Sequence, residues 1–182
     1  LNILAGHSGP ETAADARTHF GIFSPQVWKL FPKNQIINLS FWDYNDVAPG
    51  YMAAVEIAAR DPKVGIITIE VARPDFPVVD RNTLADSDIL AARKGFYVIK
   101  DFDNTTPKQG YIVVQGSSST NGVIAILNRI KSEKLNVKII SAISEELFNR
   151  QSDDYKKSVL PSSAYYDMMI ISTGTKRMWP IS

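Results

Sequence analysis

The chain has 182 residues and a net charge of +1, from 20 basic and 19 acidic side chains. That balance argues against a dedicated nucleic-acid or anionic-membrane surface, which would need clustered positive charge, and no apolar run nears the ~18 residues of a membrane span. There is no cysteine, which removes disulfides, thiolate metal sites and a cysteine nucleophile from consideration. A cysteine-free composition agrees with a reducing compartment, and a cytoplasmic location is expected. The length suits one large domain or two small ones.

Residues 1–5 form an apolar, strand-like run, and the polar stretch GHSGPETAADARTHFGIF (6–23) follows it directly. Ser24-Pro25 predicts a helix start, with Ser as N-cap and Pro at the first helical position, and that helix stops near Pro32. Residues 36–39 predict a short buried strand. Asn45 or Asp46 is expected to cap a helix with Pro49 in its first turn and Tyr51, Ala54, Val55 and Ala58 at helical spacing. Residues 65–71 (GIITIEV) read as a β-branched strand. Strands alternating with helices at these lengths predict βαβ units and a parallel sheet. Pro74 and Pro77 then break the pattern, and the chain is expected to cross the surface as far as Lys94.

A second section restarts with strands at 95–99 and 111–115. A helix follows, carrying Val123, Ile126, Leu127 and Ile130 on one face. A strand at 137–143, two short helical pieces at 145–148 and 153–159, and a last strand at 167–172 complete it. The fold class expected is α/β: two consecutive α/β sandwich domains with mostly parallel sheets, both truncated. Their boundaries are read as 1–80, a linker at 81–94, and 95–182. The chain begins in a strand without a methionine and ends just after another, so a piece of a longer protein is expected.

The candidate chemistry sits mainly in 6–23, which holds both histidines, His7 and His19, with Glu11, Asp15 and Arg17. Two imidazoles beside a carboxylate suit the binding of polar groups or proton transfer near neutral pH. The same residues also suit an ordinary polar surface loop. His7, Asp15 and His19 are metal-ligand types, but their spacing matches no compact helical zinc motif, and no metal is assigned. Ser8 adjoins His7 without the strand–turn–helix elbow of a nucleophilic serine. Arg73 follows the 65–71 strand as His7 follows the 1–5 strand. Ligands in parallel α/β sheets bind beyond the carboxyl ends of the strands, so both could face one site; an exposed turn arginine is the alternative. Gly116-Ser-Ser-Ser-Thr, between strand and helix, has the form of a phosphate-holding turn. Without GxxxxGK[ST] or GxGxxG a polar helix cap is the better reading. Asp153-Asp154 precedes Lys156-Lys157 and reads as a solvated helix face.

The run LFNRQSDDYKKSVLP (147–161), with the strands at 94–98, 111–116 and 137–141, resembles the C-terminal part of transketolase. The first section resembles the later part of that family's pyrimidine-binding domain. His7-Ser8 matches a His-Asp-Ser run at its histidine. Asp15-Ala16-Arg17-Thr18-His19 matches an Asp-Gly-Pro-Thr-His motif at Asp, Thr and His. Arg73 and the proline of 72–77 match an Arg-Gln-Asn-Leu-Pro run.

The resemblance implies a thiamine diphosphate-dependent transferase of the pentose phosphate pathway, moving a two-carbon ketol unit between sugar phosphates. It implies that His7 and Arg73 contact the substrate phosphate and that Asp15 binds a substrate hydroxyl. His19 would lie beside the cofactor's aminopyrimidine and help move protons, with His7 as a second catalytic candidate. It also implies a homodimer, and thiamine diphosphate with a divalent metal such as magnesium, both held mainly by parts outside this chain. An N-terminal domain would supply those parts, so the piece alone is expected to be inactive. Ala16-Arg17 stands where the family has Gly-Pro, and Pro74-Asp75-Phe76 replaces Gln-Asn-Leu, which leaves the particular sugar phosphate open. Two alternatives stand beside this reading: another thiamine enzyme, such as a 2-oxoacid dehydrogenase E1 component, or a non-catalytic assembly fragment.

Overall fold

The computed structural model describes residues 1–6, 27–72 and 75–174. Two sheets organise them. The first contains β1 (Asn2–Ala5), β2 (Ile36–Ser40) and β3 (Ile66–Glu70), all parallel, in the order β1-β3-β2. The second contains β4 (Phe96–Lys100), β5 (Gly110–Gln115), β6 (Val137–Ala142) and β7 (Met168–Ser172) in the order β4-β6-β5-β7. Only β4 runs antiparallel to its neighbour; β5 is parallel to both β6 and β7. The mixed α/β class with mostly parallel sheets agrees with the expectation from sequence.

Helix α1 (Tyr44–Arg60) links β2 to β3. The second half carries α2 (Ser117–Ala125), α3 (Leu127–Ser132), α4 (Glu145–Asn149) and α5 (Asp153–Val159).

Strand β6 shows why the second sheet is apolar on both faces. Side chains alternate across a strand. Ile139 therefore joins a core shared with Ile37, Leu39, Ala54 and Tyr97. Ile140 and Ala142 join a separate cluster with Phe96, Val113, Phe148 and Val159. The larger core thus contains residues from both sheets, and Ser40 N–H donates to the Ile143 carbonyl at 2.8 Å across the seam.

Three expectations are corrected. Asp43, not Asn45 or Asp46, caps α1: its backbone is extended and its carboxylate accepts the Asn45 N–H at 2.9 Å. Asp46 is instead buried against Arg81 and cannot serve as the cap. Pro49 consequently falls in the second turn, where its missing N–H removes the helical bond to the Asn45 carbonyl. The single helix expected to carry Val123, Ile126, Leu127 and Ile130 on one face is two helices. Ile126 adopts φ −100° and ψ 4°, which turns the next segment, so Val123 and Ile130 reach the core while Ile126 is exposed. The stretch before Lys94 does not simply cross the surface. It forms 3₁₀ turns at Arg81–Thr83 and Ile89–Lys94, with Arg81, Ala91 and Ala92 buried.

Candidate functional site

The register places Ala5, Glu70 and Ser40 side by side, so β1, β3 and β2 end at one edge. In parallel sheets this carboxyl edge is where ligands bind. A cavity of about 110 Å³ opens here. Its apolar walls are Phe41, Trp42, Tyr44, Val47 and Phe76, and Glu70 supplies a carboxylate. Glu70 is 5% exposed and accepts the Asn38 side-chain N–H at 3.0 Å, while Asn38 Oδ1 accepts the Thr68 hydroxyl at 2.6 Å. A buried, hydrogen-bonded carboxylate beside aromatic walls can orient a polar group on an otherwise apolar ligand.

The residues singled out from sequence, His7, Asp15, His19 and Arg73, lie outside the described residues, as do Glu11 and Arg17. What the structure does bring together is the pair of strand ends that precede His7 and Arg73. Val71 N–H donates to the Ala5 carbonyl at 3.1 Å, extending the ladder past β3. Glu70 escaped the sequence reading, although it is the one ionisable residue in GIITIEV. An acid at the carboxyl end of an apolar strand was the available signal.

The loop between β2 and α1 forms one wall, and the second half of the chain holds it. Trp42 Nε1 donates to the Tyr97 hydroxyl at 2.7 Å. Arg81 Nη1 donates to the same hydroxyl at 2.6 Å, and Arg81 also pairs with Asp46. The Tyr97 hydroxyl in turn reaches Asp46 Oδ2 at 3.1 Å. One donor and two acceptor positions are the whole capacity of a hydroxyl, so Tyr97 is fully used. The guanidinium carbon lies 5.2 Å from the centre of each of the Trp42 and Tyr97 rings. Burial pushes the Asp46 carboxyl up to about 7, against the pull of Arg81 and the Tyr97 hydrogen bond. Burial likewise raises Tyr97 well above the ordinary tyrosine range.

The glycine–serine turn at 116–120 does not cap its helix through a side chain at the N-cap. Gly116 begins α2 at φ +88° with no side-chain capping bond, and a Cβ there would meet Thr173 Oγ1 at 2.1 Å. Ser117 donates its hydroxyl to the Phe41 carbonyl at 3.2 Å, tying α2 to the cavity wall. Asp153 pairs with Lys156 at 2.8 Å on an exposed face, as expected for a solvated helix.

A larger cleft, about 350 Å³, is lined by Lys29, Ile36, Glu145, Glu146 and Arg150 among others. It meets β2 at its amino end, opposite the edge parallel sheets use. Burial opposes the charge on Lys29, but Glu146 and Glu145 hold its pKa above the usual lysine value. They lie at 3.0 and 2.8 Å. Among the described residues no three His, Cys, Asp or Glu side chains gather into a metal-binding group. No helix among them is long and apolar enough to cross a membrane.

Residues 95–180 match the family model described as "Transketolase-like TK C-terminal domain". The second half of the chain resembles the transketolase C-terminal domain. The chain is 29% identical over 158 residues to the chloroplastic transketolase of Zea mays, covering 86% of this chain and 21% of that protein. It is 24% identical over 156 residues to the transketolase of Bacillus subtilis, covering 86% of this chain and 22% of the other. The chain thus spans about a fifth of the length of these transketolases. Among solved structures, the transketolase from Leishmania mexicana superposes with a TM-score of 0.71 at 20% identity, over 95% of this chain and 23% of that one. The Campylobacter jejuni transketolase gives 0.69 at 14% identity, over 97% of this chain and 25% of that one. At those identities the structural likeness to transketolase speaks for the fold.

Proposed function

We propose that this chain forms part of a thiamine diphosphate-dependent transketolase that moves a two-carbon ketol unit between sugar phosphates. One observation carries the reading. The similarity to transketolases runs through 86% of the chain, across both sheets, and is not confined to the C-terminal part. The carboxyl edge of β1, β3 and β2 supports it with a suitable place for a ligand.

The described residues fit one portion of the cofactor. Phe41, Trp42, Tyr44 and Phe76 would pack an aromatic ring, and Glu70 lies beside them. The diphosphate and its metal would be held by parts of the protein outside this chain. When bound, thiamine diphosphate supplies an electron sink for carbon–carbon cleavage. The chain's own residues would handle the substrate. His7 and Arg73 would bind the sugar phosphate, the arginine through paired N–H donors. Asp15 would accept a hydrogen bond from a substrate hydroxyl and fix the sugar's orientation. His19 would take the proton from the hydroxyl whose carbon becomes a carbonyl, a transfer suited to imidazole near neutral pH. A second subunit would complete the site, and a cytoplasmic location belongs to the same proposal.

The test is an assay of the holoenzyme containing this chain, with thiamine diphosphate and magnesium. Ketol transfer between a ketose phosphate and an aldose phosphate is the expected activity. Decarboxylation of a 2-oxoacid without ketol transfer would favour the E1-type alternative. Neither activity, with intact assembly, would favour the non-catalytic one.

A further inference from the structure

We propose that Tyr97, Ser117 and Asn121, all from the transketolase-like C-terminal domain, are positioning residues for the cavity wall at 41–44, so that this domain sets ligand affinity by holding the wall that the ligand touches. The inference rests on the carboxyl-edge site proposed above and adds a role for the second domain.

The geometry gives the wall three anchors from one direction. Its indole is held by Tyr97 at 2.7 Å. The Phe41 carbonyl accepts the Ser117 hydroxyl at 3.2 Å. The Trp42 carbonyl accepts the Asn121 side-chain N–H at 3.3 Å, and the same amide nitrogen donates to the Ser117 carbonyl at 2.9 Å. Consecutive backbone carbonyls of a loop have no helix or strand partners of their own. Unless held, such a segment samples alternative conformations. From the other side, Asp43 Oδ2 accepts the Val79 N–H at 3.0 Å, and Asn45 donates to the Val79 carbonyl at 3.0 Å. The wall is therefore clamped between the connecting segment and α2. Trp42 presents its ring edge to Tyr97 and lines the cavity at the same time, so loosening the clamp moves a surface the ligand touches.

A wall that contacts the ligand equally in the ground and transition states changes KM without changing kcat. The holoenzyme carrying Asn121→Ala is expected to show a KM for the ketose phosphate raised about threefold to tenfold, the worth of one neutral hydrogen bond, with kcat near wild type. Tyr97→Phe is expected to act in the same direction. Asn121 is only part-buried, so its variant is the one expected to fold normally. Hydrogen exchange of the peptide covering residues 40–47, measured on the chain without substrate, should be faster in both variants. Unchanged exchange there in a folded Asn121→Ala protein overturns the positioning role whatever the activity. So does a loss of kcat that only follows the fraction folded. If wild-type holoenzyme lacks ketol transfer, the function proposed above fails, while faster exchange in the variants still supports the clamp.

Discussion

The Trp42 indole nitrogen and the Tyr97 hydroxyl meet at 2.7 Å across 55 residues of sequence. The bond joins the loop after β2 to β4, with Arg81 and Asp46 completing the group. Tyr97→Phe would leave the Trp42 and Arg81 donors buried and unpaired. Each unpaired buried donor costs about 1–3 kcal/mol. The expected outcome is a loss of about 2–6 kcal/mol, read as a lower denaturant midpoint with unchanged slope. A midpoint within experimental error of wild type would remove Tyr97 from the centre of the seam.

Asp46 sets a pH dependence. Its folded carboxyl titrates near 7 because burial disfavours the charge, against about 4 for an exposed aspartate. The folded state therefore holds a proton that the unfolded state has lost between these values. Its contribution to stability is complete below about pH 4 and is lost as the pH rises towards and through 7. Denaturation of wild type and Asp46→Asn from pH 4.5 to 8 checks the sign. Wild type should lose stability relative to the variant as the pH rises; parallel curves would show that Arg81 keeps Asp46 ionised throughout.

Among the described glycines, Gly95 has the least room for a side chain against fixed backbone. It sits at φ +85°, and a Cβ would meet the Ser144 carbonyl oxygen at 2.3 Å and the Phe148 nitrogen at 2.5 Å. Both are backbone atoms of the α4 region and cannot swing aside. Its own carbonyl accepts N–H groups from Ile143 and Ser144. Gly95→Ala, which at a compatible position would stabilise, should here destabilise by more than about 1 kcal/mol, measured as a fall in Tm. A neutral result would mean that the β4–α4 junction can open.

The proposed chemistry separates two side chains. His19→Asn in the holoenzyme should lower kcat by about 100-fold or more, the scale of a lost general base, with cofactor affinity little changed. Arg73→Ala should chiefly raise KM for phosphorylated acceptors. Equal losses with unphosphorylated acceptors would argue against a phosphate contact.

The sheets were legible because their signals are local. Ile36-Ile37 and the GIITIEV run are apolar, β-branched and short, and Pro161 stops α5 as a proline should. The seam was not legible, because its partners are distant. Arg81 reads as a loop charge until Asp46, 35 positions earlier, is placed beside it. Asp43 reads as one of several acids before a helix, and only the burial of Asp46 decides which one caps. Glu70 was visible as a charge in an apolar strand, but its role depends on Asn38 across the ladder. The histidines and Arg73 drew attention by residue type, and their roles rest on the family resemblance.

The seam also dictates an order of events during synthesis. The outer side of β2 is closed by atoms made much later: Ser40 N–H waits for the Ile143 carbonyl, and Asn38 N–H waits for Glu146, 108 residues on. Contacts of such separation form slowly, since the long intervening loop must be ordered first. Until α4 leaves the ribosome, β2 presents an open apolar edge, the kind of surface on which nascent chains aggregate. A growing chain of this sequence would thus need β2 shielded until α4 has emerged, and slow stretches before position 146 would lengthen that exposure.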